Sequence, residues 1–479
     1  MKRRYIRMVQ QNMNTPGDGL PVPARYRAMG VIILGISLSV LDSTIVNLAL
    51  PSIARDLGAS AAHSVWVINA YQLAILGLLL PCSMMGDLVG YRRVYLAGVS
   101  VFTLASACCF LAPSLDMLIA ARTLQGLGAA AIMGANAALV RLTYPSHLLG
   151  RAIAFNSVVV ASGSVAGPTV AAAILSVASW HWLFVINVPA GIAILAVGWS
   201  ALPHNVRPPA EGASLSWKDV VLNALMFGLV FLGVDSLGAR AGQAPTAAGW
   251  GASIALLAAG VGIAVFYIRR QLRLPVPLFP VDLLRIPVFA LSTCTSISAF
   301  AGQTLAFIAL PFLMLDGWGR TPLQAGALIT AWPAAVVVAA PIAGRLIGRW
   351  PVGALSSCGL ALLSIGMLLL AALPAQPVTA DIVWRMVLCG IGFGLFQAPN
   401  NHAILTSGPV NRSGVAGGML STARTTGQTT GAVMLAIVFS LFNAHDGHGP
   451  EVALVLAAGF AAAASGFSLL RVRHARKPF

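Results

Sequence analysis

Charge is what this sequence has least of. Only 9% of its 479 residues are Asp, Glu, Lys or Arg, and 13 residues are acidic. Soluble globular chains average about 25% charged residues, so a water-facing surface cannot be assembled here. The six cysteines (Cys82, Cys108, Cys109, Cys294, Cys358 and Cys389) all fall inside apolar runs, and none has metal-ligand spacing. They read as small core residues, which excludes a disulfide scaffold and a thiolate metal centre. No GxxxxGK[ST] phosphate loop occurs, and no soluble segment is long enough for a nucleotide domain. No nucleophile set or cofactor loop suggests an enzyme. Residues 1–27 are polar and basic, with Pro16, Gly17, Pro21 and Pro23, and lack the apolar segment and cleavage site of a signal peptide. The formal net charge is +16. Its positive residues sit in short loops rather than on one basic face, which favours a membrane surface over nucleic acid.

What is present is apolar length. Hydrophobic residues make up 58% of the chain. A membrane-spanning helix needs about 20 mostly apolar residues. Runs of that kind lie near 28–50, 64–86, 94–112, 116–139, 151–176, 182–202, 218–238, 249–270, 288–315, 322–346, 352–374, 380–407, 414–443 and 451–472. The expectation is therefore an all-α integral membrane protein with 14 transmembrane helices. With the N-terminus placed inside, 23 of the 29 Lys and Arg fall on inside segments, and only Arg55, Arg240 and Arg320 on outside loops. That asymmetry puts both termini in the cytoplasm.

The chain also repeats itself. Leu48-Ala-Leu-Pro51 with Asp56 matches Ile308-Ala-Leu-Pro311 with Asp316, and Pro81 matches Pro341. Gly90 followed by Arg92 matches Gly348-Arg349, and Arg122 matches Arg385. Residues 28–202 and 288–472 thus read as two six-helix bundles of the same orientation. Residues 203–287 form a linker with two inserted helices (about 218–238 and 249–270), flanked overall by tails 1–27 and 473–479. Two parallel halves around a midplane site are a transporter architecture.

Ionisable groups inside spans are costly and face the bundle interior. Asp42 and Arg122 lie at depths that differ by only about 3 Å, at a rise of roughly 1.5 Å per residue. They can form either a permanent packing pair or a protonation switch. Arg424 sits near the midplane of its span with no matching acid. Tyr71, Gln72, Asn136, Gln303, Phe307, Gln397, Asn400 and Arg424 are the candidate lining of a substrate cavity. The Gly163-x-x-x-Gly167-Pro168 segment allows close helix approach and a bend.

These residues resemble the major facilitator superfamily, specifically its fourteen-span drug:proton antiporter branch. Leu41-Asp-Ser-Thr-Ile-Val-Asn-Leu-Ala-Leu-Pro51 is similar to that branch's first-span signature. Asp87-x-x-Gly90-Tyr-Arg92-Arg93 resembles the superfamily's loop motif, and Arg122-Thr-Leu-Gln-Gly126-Leu-Gly128 its fourth-span motif. Gly163-x-x-x-Gly167-Pro168, Trp180-His-Trp-Leu-Phe-Val-Ile-Asn187-Val-Pro189-Ala-Gly191 and Arg424-Thr-Thr-Gly-Gln-Thr-Thr-Gly431 resemble segments of spans five, six and thirteen. There are departures: Ser83 stands for a Gly, Leu88 and Tyr91 for basic residues, Ala171-Ala172 for Gly-Gly and His181 for an Arg.

The resemblance implies alternating access of two halves. It gives Arg122 a part in proton coupling with Asp42, and Asp87, Arg92 and Arg93 a part in an inner-side charge latch, with Gly90, Gly163, Gly167 and Pro168 as further gating residues. The expected function is export of lipophilic organic compounds or drugs across a bacterial inner membrane. A proton gradient would supply the energy, with no cofactor and no metal. The rivals are a dedicated exporter of one metabolite, antibiotic or siderophore, and a non-transporting sensor or scaffold. Expected partners are a small-molecule substrate, protons and membrane lipid, without nucleic acid; the short loops assign no periplasmic adaptor.

Overall fold

Inside a bilayer no water competes for backbone N–H and C=O groups, so each apolar run must satisfy them within itself as a helix. The computed structural model describes residues 19–145, 148–204, 215–241, 247–274, 278–279, 281, 283–407, 413–444 and 447–475. Helices account for most of them. The first set is α1 (Ala24–Asp56), α2 (Ala61–Ser64), α3 (Trp66–Met85), α4 (Tyr91–Phe110), α5 (Leu115–Thr143), α6 (Leu149–Leu175), α7 (Trp182–Val185) and α8 (Asn187–Ala201). Then come α9 (Trp217–Ala241) and α10 (Ala247–Gln271). The last set is α11 (Pro287–Phe312), α12 (Pro322–Leu346), α13 (Val352–Ala371), α14 (Thr379–Thr406), α15 (Ser413–Leu441) and α16 (His448–Ala475). Most of the expected 1–27 tail, Arg207, Arg412 and the last four residues lie outside the described residues.

Among the described residues, 11 helical stretches are long and apolar enough to cross a membrane. The expected segments 64–86 and 94–112 run as one stretch, Ala61–Phe110, because a π turn at Gly86–Gly90 joins α3 to α4. α6 contributes only the shorter apolar helix Ala166–Leu175. α15 is long enough but is not among the 11; Arg424, Gln428 and the threonines between and beside them make its first half polar.

The first and last sets pack in one pattern. In the first, α3 and α4 flank α5, α1 packs on α6 and α8, and α4 on α8. In the last, α12 and α13 flank α14, α11 packs on α15 and α16, and α13 on α16. The turns agree as well. Gly90 precedes α4 with φ +104°, and Gly348 precedes α13 with φ +90°, a backbone conformation that side chains disfavour. So do the helix crossings. A Cβ on Gly128 would stand 2.7 Å from the Gly98 carbonyl, and one on Gly359 would stand 2.5 Å from the Gly392 carbonyl. Small residues there let α4 and α5, and α13 and α14, approach backbone to backbone.

The two sets meet at one end of the bundle. Arg55 and Asp316, past the matched prolines of α1 and α11, approach to 3.9 Å. Thr169 and Thr330 hydroxyls lie 2.8 Å apart between α6 and α12, where Gly326 faces the Pro168 carbonyl and Ala172. The largest apolar cluster joins the sets from this end to mid-depth, through residues such as Leu48, Ala172, Leu310 and Ile329. At the opposite end, which holds both ends of the described chain, the apolar clusters belong to single sets. One is centred on Ile32, Tyr95 and Leu139, another on Leu283, Phe289, Ile404 and Met419.

α9 and α10 pair through Gly233 against Leu257 and Gly260 against Val230. They dock on α3 by two hydrogen bonds: Asn223 Nδ2 donates to the Gly77 carbonyl at 2.8 Å, and Trp66 Nε1 donates to Asp235 Oδ2 at 3.1 Å. Against α15 their contact is apolar: Phe231 shares a cluster with Val433 of α15 and Leu76 of α3.

Candidate functional site

α1 and α5 place Asp42 and Arg122 at one depth, and the structure brings them together. Arg122 Nη1 donates to Asp42 Oδ2 at 2.5 Å. Both are about 1% exposed. The other carboxylate oxygen accepts from Gln125 Nε2 at 2.9 Å and from Asn187 Nδ2 at 2.7 Å. Gln125 also donates to Ser106 Oγ at 2.8 Å and accepts from Arg122 Nη1 at 2.6 Å. Arg122 Nε donates to the Val67 carbonyl at 3.1 Å. Five elements therefore meet in one network around this carboxylate, within the first set alone. A buried ion pair is tolerated only when its remaining donors and acceptors are satisfied, and this one is satisfied almost completely.

Sequence reasoning found Asp42 and Arg122 but not Gln125, Asn187 or Ser106. The available signal was a polar side chain in an apolar run. Gln125 stands one turn after Arg122, and Asn187 lies within the stretch compared with span six. Ser106 carried no signal above the other span serines.

The expected cavity residues divide. Tyr71 belongs to the charge site: its ring lies 4.1 Å from the Arg122 guanidinium and its hydroxyl donates to the Ser39 carbonyl at 3.3 Å. Asn400 is fully buried in a second network, where it accepts from Arg471 Nη1 and donates to Ser296 Oγ at 2.7 Å. Arg471 also reaches Ser292 and Ser468. Gln72 is buried with its Oε1 unpartnered among the described residues. Asn136 donates to Asn156 at 3.4 Å. Gln303 and Gln397 are half-buried. Phe307 packs on Trp332 and lines a cavity of about 20 Å³ between the sets, together with Thr44, Asn47 and Pro168. Arg424 is half-buried, 5.5 Å from the Phe300 ring. Among the described residues no carboxylate forms an ion pair with it.

The residues expected to gate fall at two places. Gly163 and Gly167 face Val40 and Thr44, so α6 rides directly on α1, and Pro168 turns its carbonyl toward the other set. Asp87 accepts from Tyr91 at 2.6 Å. Arg92 reaches His204 Nε2 at 2.6 Å and lies over Trp199. Arg93 is exposed. Among the described residues these three form no ion pair with the last set.

Comparison with known proteins agrees with this layout. The family model described as Major Facilitator Superfamily matches residues 32–432. The chain is 49% identical over 460 residues to an Escherichia coli protein named "Uncharacterized transporter YebQ", covering 95% of this chain and 98% of the relative. It is 31% identical to "Multidrug resistance protein Stp" of Mycobacterium tuberculosis, covering 85% and 74%. Among solved structures, a POT family transporter in complex with a thioalcohol-conjugated peptide superposes with a TM-score of 0.70 at 13% identity, covering 94% and 97%. At that identity the likeness is one of fold.

Proposed function

The chain belongs to the Major Facilitator Superfamily, in its drug-efflux branch, and from that premise we propose that it exports lipophilic organic compounds in exchange for protons. It is a transporter and not an enzyme. The proposed architecture has 14 spans: the apolar stretches already described, with Ala61–Phe110 counted as two and α6 and α15 added. Its six-helix halves, 28–202 and 288–472, rock against each other. The excess of Lys and Arg at the end that holds the termini makes that end cytoplasmic, in a bacterial inner membrane. The halves then touch on the outer side, and substrate enters from the cytoplasm.

The observation that carries this reading is the site around Asp42. Among the described residues of α1–α8 its carboxylate is the only acidic group held at this depth by a guanidinium, and its other contacts are neutral donors. A proton on Asp42 would cancel the charge that holds Arg122 and leave an acid that no longer needs so many donors. α1 carries that change directly to α6 through Gly163 and Gly167 and to α11 by contact. Two arrangements of one helix, selected by a proton, are what coupled exchange requires.

The substrate would lie between the halves, near Phe307, Gln303, Gln397 and Arg424. Arg424 favours a second reading of that cavity. A guanidinium with no carboxylate beside it suits a dedicated neutral or anionic substrate better than a polyspecific cation.

The test is proton flux in proteoliposomes that carry an interior pH dye, challenged with lipophilic cations, neutral drugs and organic anions. One class should trigger a pH change, and Asp42→Asn should abolish it while the protein remains folded. Full proton-driven transport by Asp42→Asn would overturn the assignment. A response to anions that Arg424→Gln removes would select the second reading.

A further inference from the structure

A pocket of about 370 Å³ opens at the end that holds both ends of the described chain, lined by Arg27 of α1, Arg92 of α4, and Ser200 and His204 at the end of α8. That volume equals roughly a dozen waters, each claiming about 30 Å³. Among the described residues no acidic side chain lines it. Asp87, on the turn that leads into α4, is engaged by the Tyr91 hydroxyl at 2.6 Å. Ser200 donates to the Val197 carbonyl of its own helix. Arg92 Nη1 lies 2.6 Å from His204 Nε2, so the ring serves as an acceptor and the two groups do not repel.

The floor of the pocket is fixed. Leu20 N donates to the Thr143 carbonyl at 3.0 Å, and Arg25 Nε donates back to the Leu20 carbonyl at 3.0 Å. Its rim faces outward. The Arg92 guanidinium lies 5.6 Å from the Trp199 ring, and Trp199 is 72% exposed on the outer side of α8, with Val197 45% exposed beside it. An indole of that kind belongs at the level of lipid headgroups. Two guanidinium groups with no carboxylate partner among the described residues call for an anion, and basic pockets between helices on the cytoplasmic side hold anionic headgroups. The apolar rim gives acyl chains a surface that a free phosphate ion would not use.

We propose that this pocket binds the headgroup of an anionic phospholipid, its phosphate held by Arg27 and Arg92, with its chains along Val197 and Trp199. The proposal rests on the cytoplasmic placement of this end and is independent of proton coupling. Arg92 stands in the first turn of α4, so a bound lipid keeps that arginine on the first half and away from the second. Headgroup composition thereby sets how readily the cytoplasmic side closes.

The experiment is native mass spectrometry of the full chain, delipidated and then offered phosphatidylglycerol or phosphatidylcholine in mixed micelles. Phosphatidylglycerol should be retained about 25-fold more strongly, at roughly a factor of five for each of the two arginines. The double variant Arg27→Gln, Arg92→Gln should bring the two lipids to parity, and Arg345→Gln with Arg349→Gln, at the same end of the second half, should not. Ala201→Phe, which fills the pocket without touching a charge, should also remove the preference. Equal retention of both lipids by the unaltered protein overturns the proposal, as does an undiminished preference in the double variant. Displacement of phosphatidylglycerol by excess inorganic phosphate, with no gain from acyl chains, would make this a small-anion site and overturn the assignment to lipid.

Discussion

Asp42 is held by one cation and two amides, and the chain gives up hydrogen-bonding freedom on five elements to hold it. Removal of the cation alone strands a buried carboxylate. Arg122→Met should therefore destabilise the first half by ~3–5 kcal/mol. Asp42→Asn combined with Arg122→Met should recover much of that loss, because the isolated charge is gone. Unfolding midpoints in detergent for the two single variants and the double variant check this; a double variant no more stable than Arg122→Met would mean that the pair is not energetically coupled. At this scale the sequence was half legible. Two charges at equal depth identify each other, since few ionisable groups survive in apolar spans. Neutral partners do not announce themselves, and depth along a helix says nothing of direction around it. Lipid-facing and core-facing sides are both apolar here, so Tyr71 and Asn400 could be placed on spans but not on faces.

Helices are held together mainly by what their crossings lack. Gly98 against Gly128 and Gly359 against Gly392 bring backbones into contact in the same place in each half. Gly128→Leu and Gly392→Leu should each abolish monodisperse protein on size exclusion, since a side chain there has backbone atoms of the neighbouring helix within 3 Å of its Cβ. Gly30→Leu and Gly262→Leu, where nothing lies within 4 Å, should elute normally. If Gly128→Leu also elutes normally, α4 and α5 can separate at little cost and the crossing is not a fixed one. Helix positions were legible from apolar run length, and the repeat from matched prolines and glycines. The polar first half of α15 was counted as a span because its length and flanks fit, although Arg424 and Gln428 dilute its hydropathy. The boundary between α3 and α4 was legible in the sequence, but not that the π turn at Gly86–Gly90 carries the helix across it without a break.

At the scale of the molecule, the halves are closed against each other on the side away from the termini. Thr169 and Thr330 touch across that seam. Thr169→Cys with Thr330→Cys should cross-link under mild oxidation and stop transport, and a reductant should restore it. Unchanged transport by the cross-linked protein would show that this seam need not open. The two-half arrangement was legible because an apolar chain that repeats itself has few ways to pack. The state of the seam was not, because both closed and open forms bury the same sequence.

The inserted pair adds a direction to any rocking motion. It is pinned to α3 by Asn223 and by Asp235, one near each end of α9, yet among the described residues it meets α15 only through apolar side chains. Hydrogen bonds resist sliding, whereas an apolar seam can slip without leaving a donor stranded. The pair must therefore travel as cargo of the first half. The plane between α9 and α15 is then a shear surface, and the second half moves past a stationary flank.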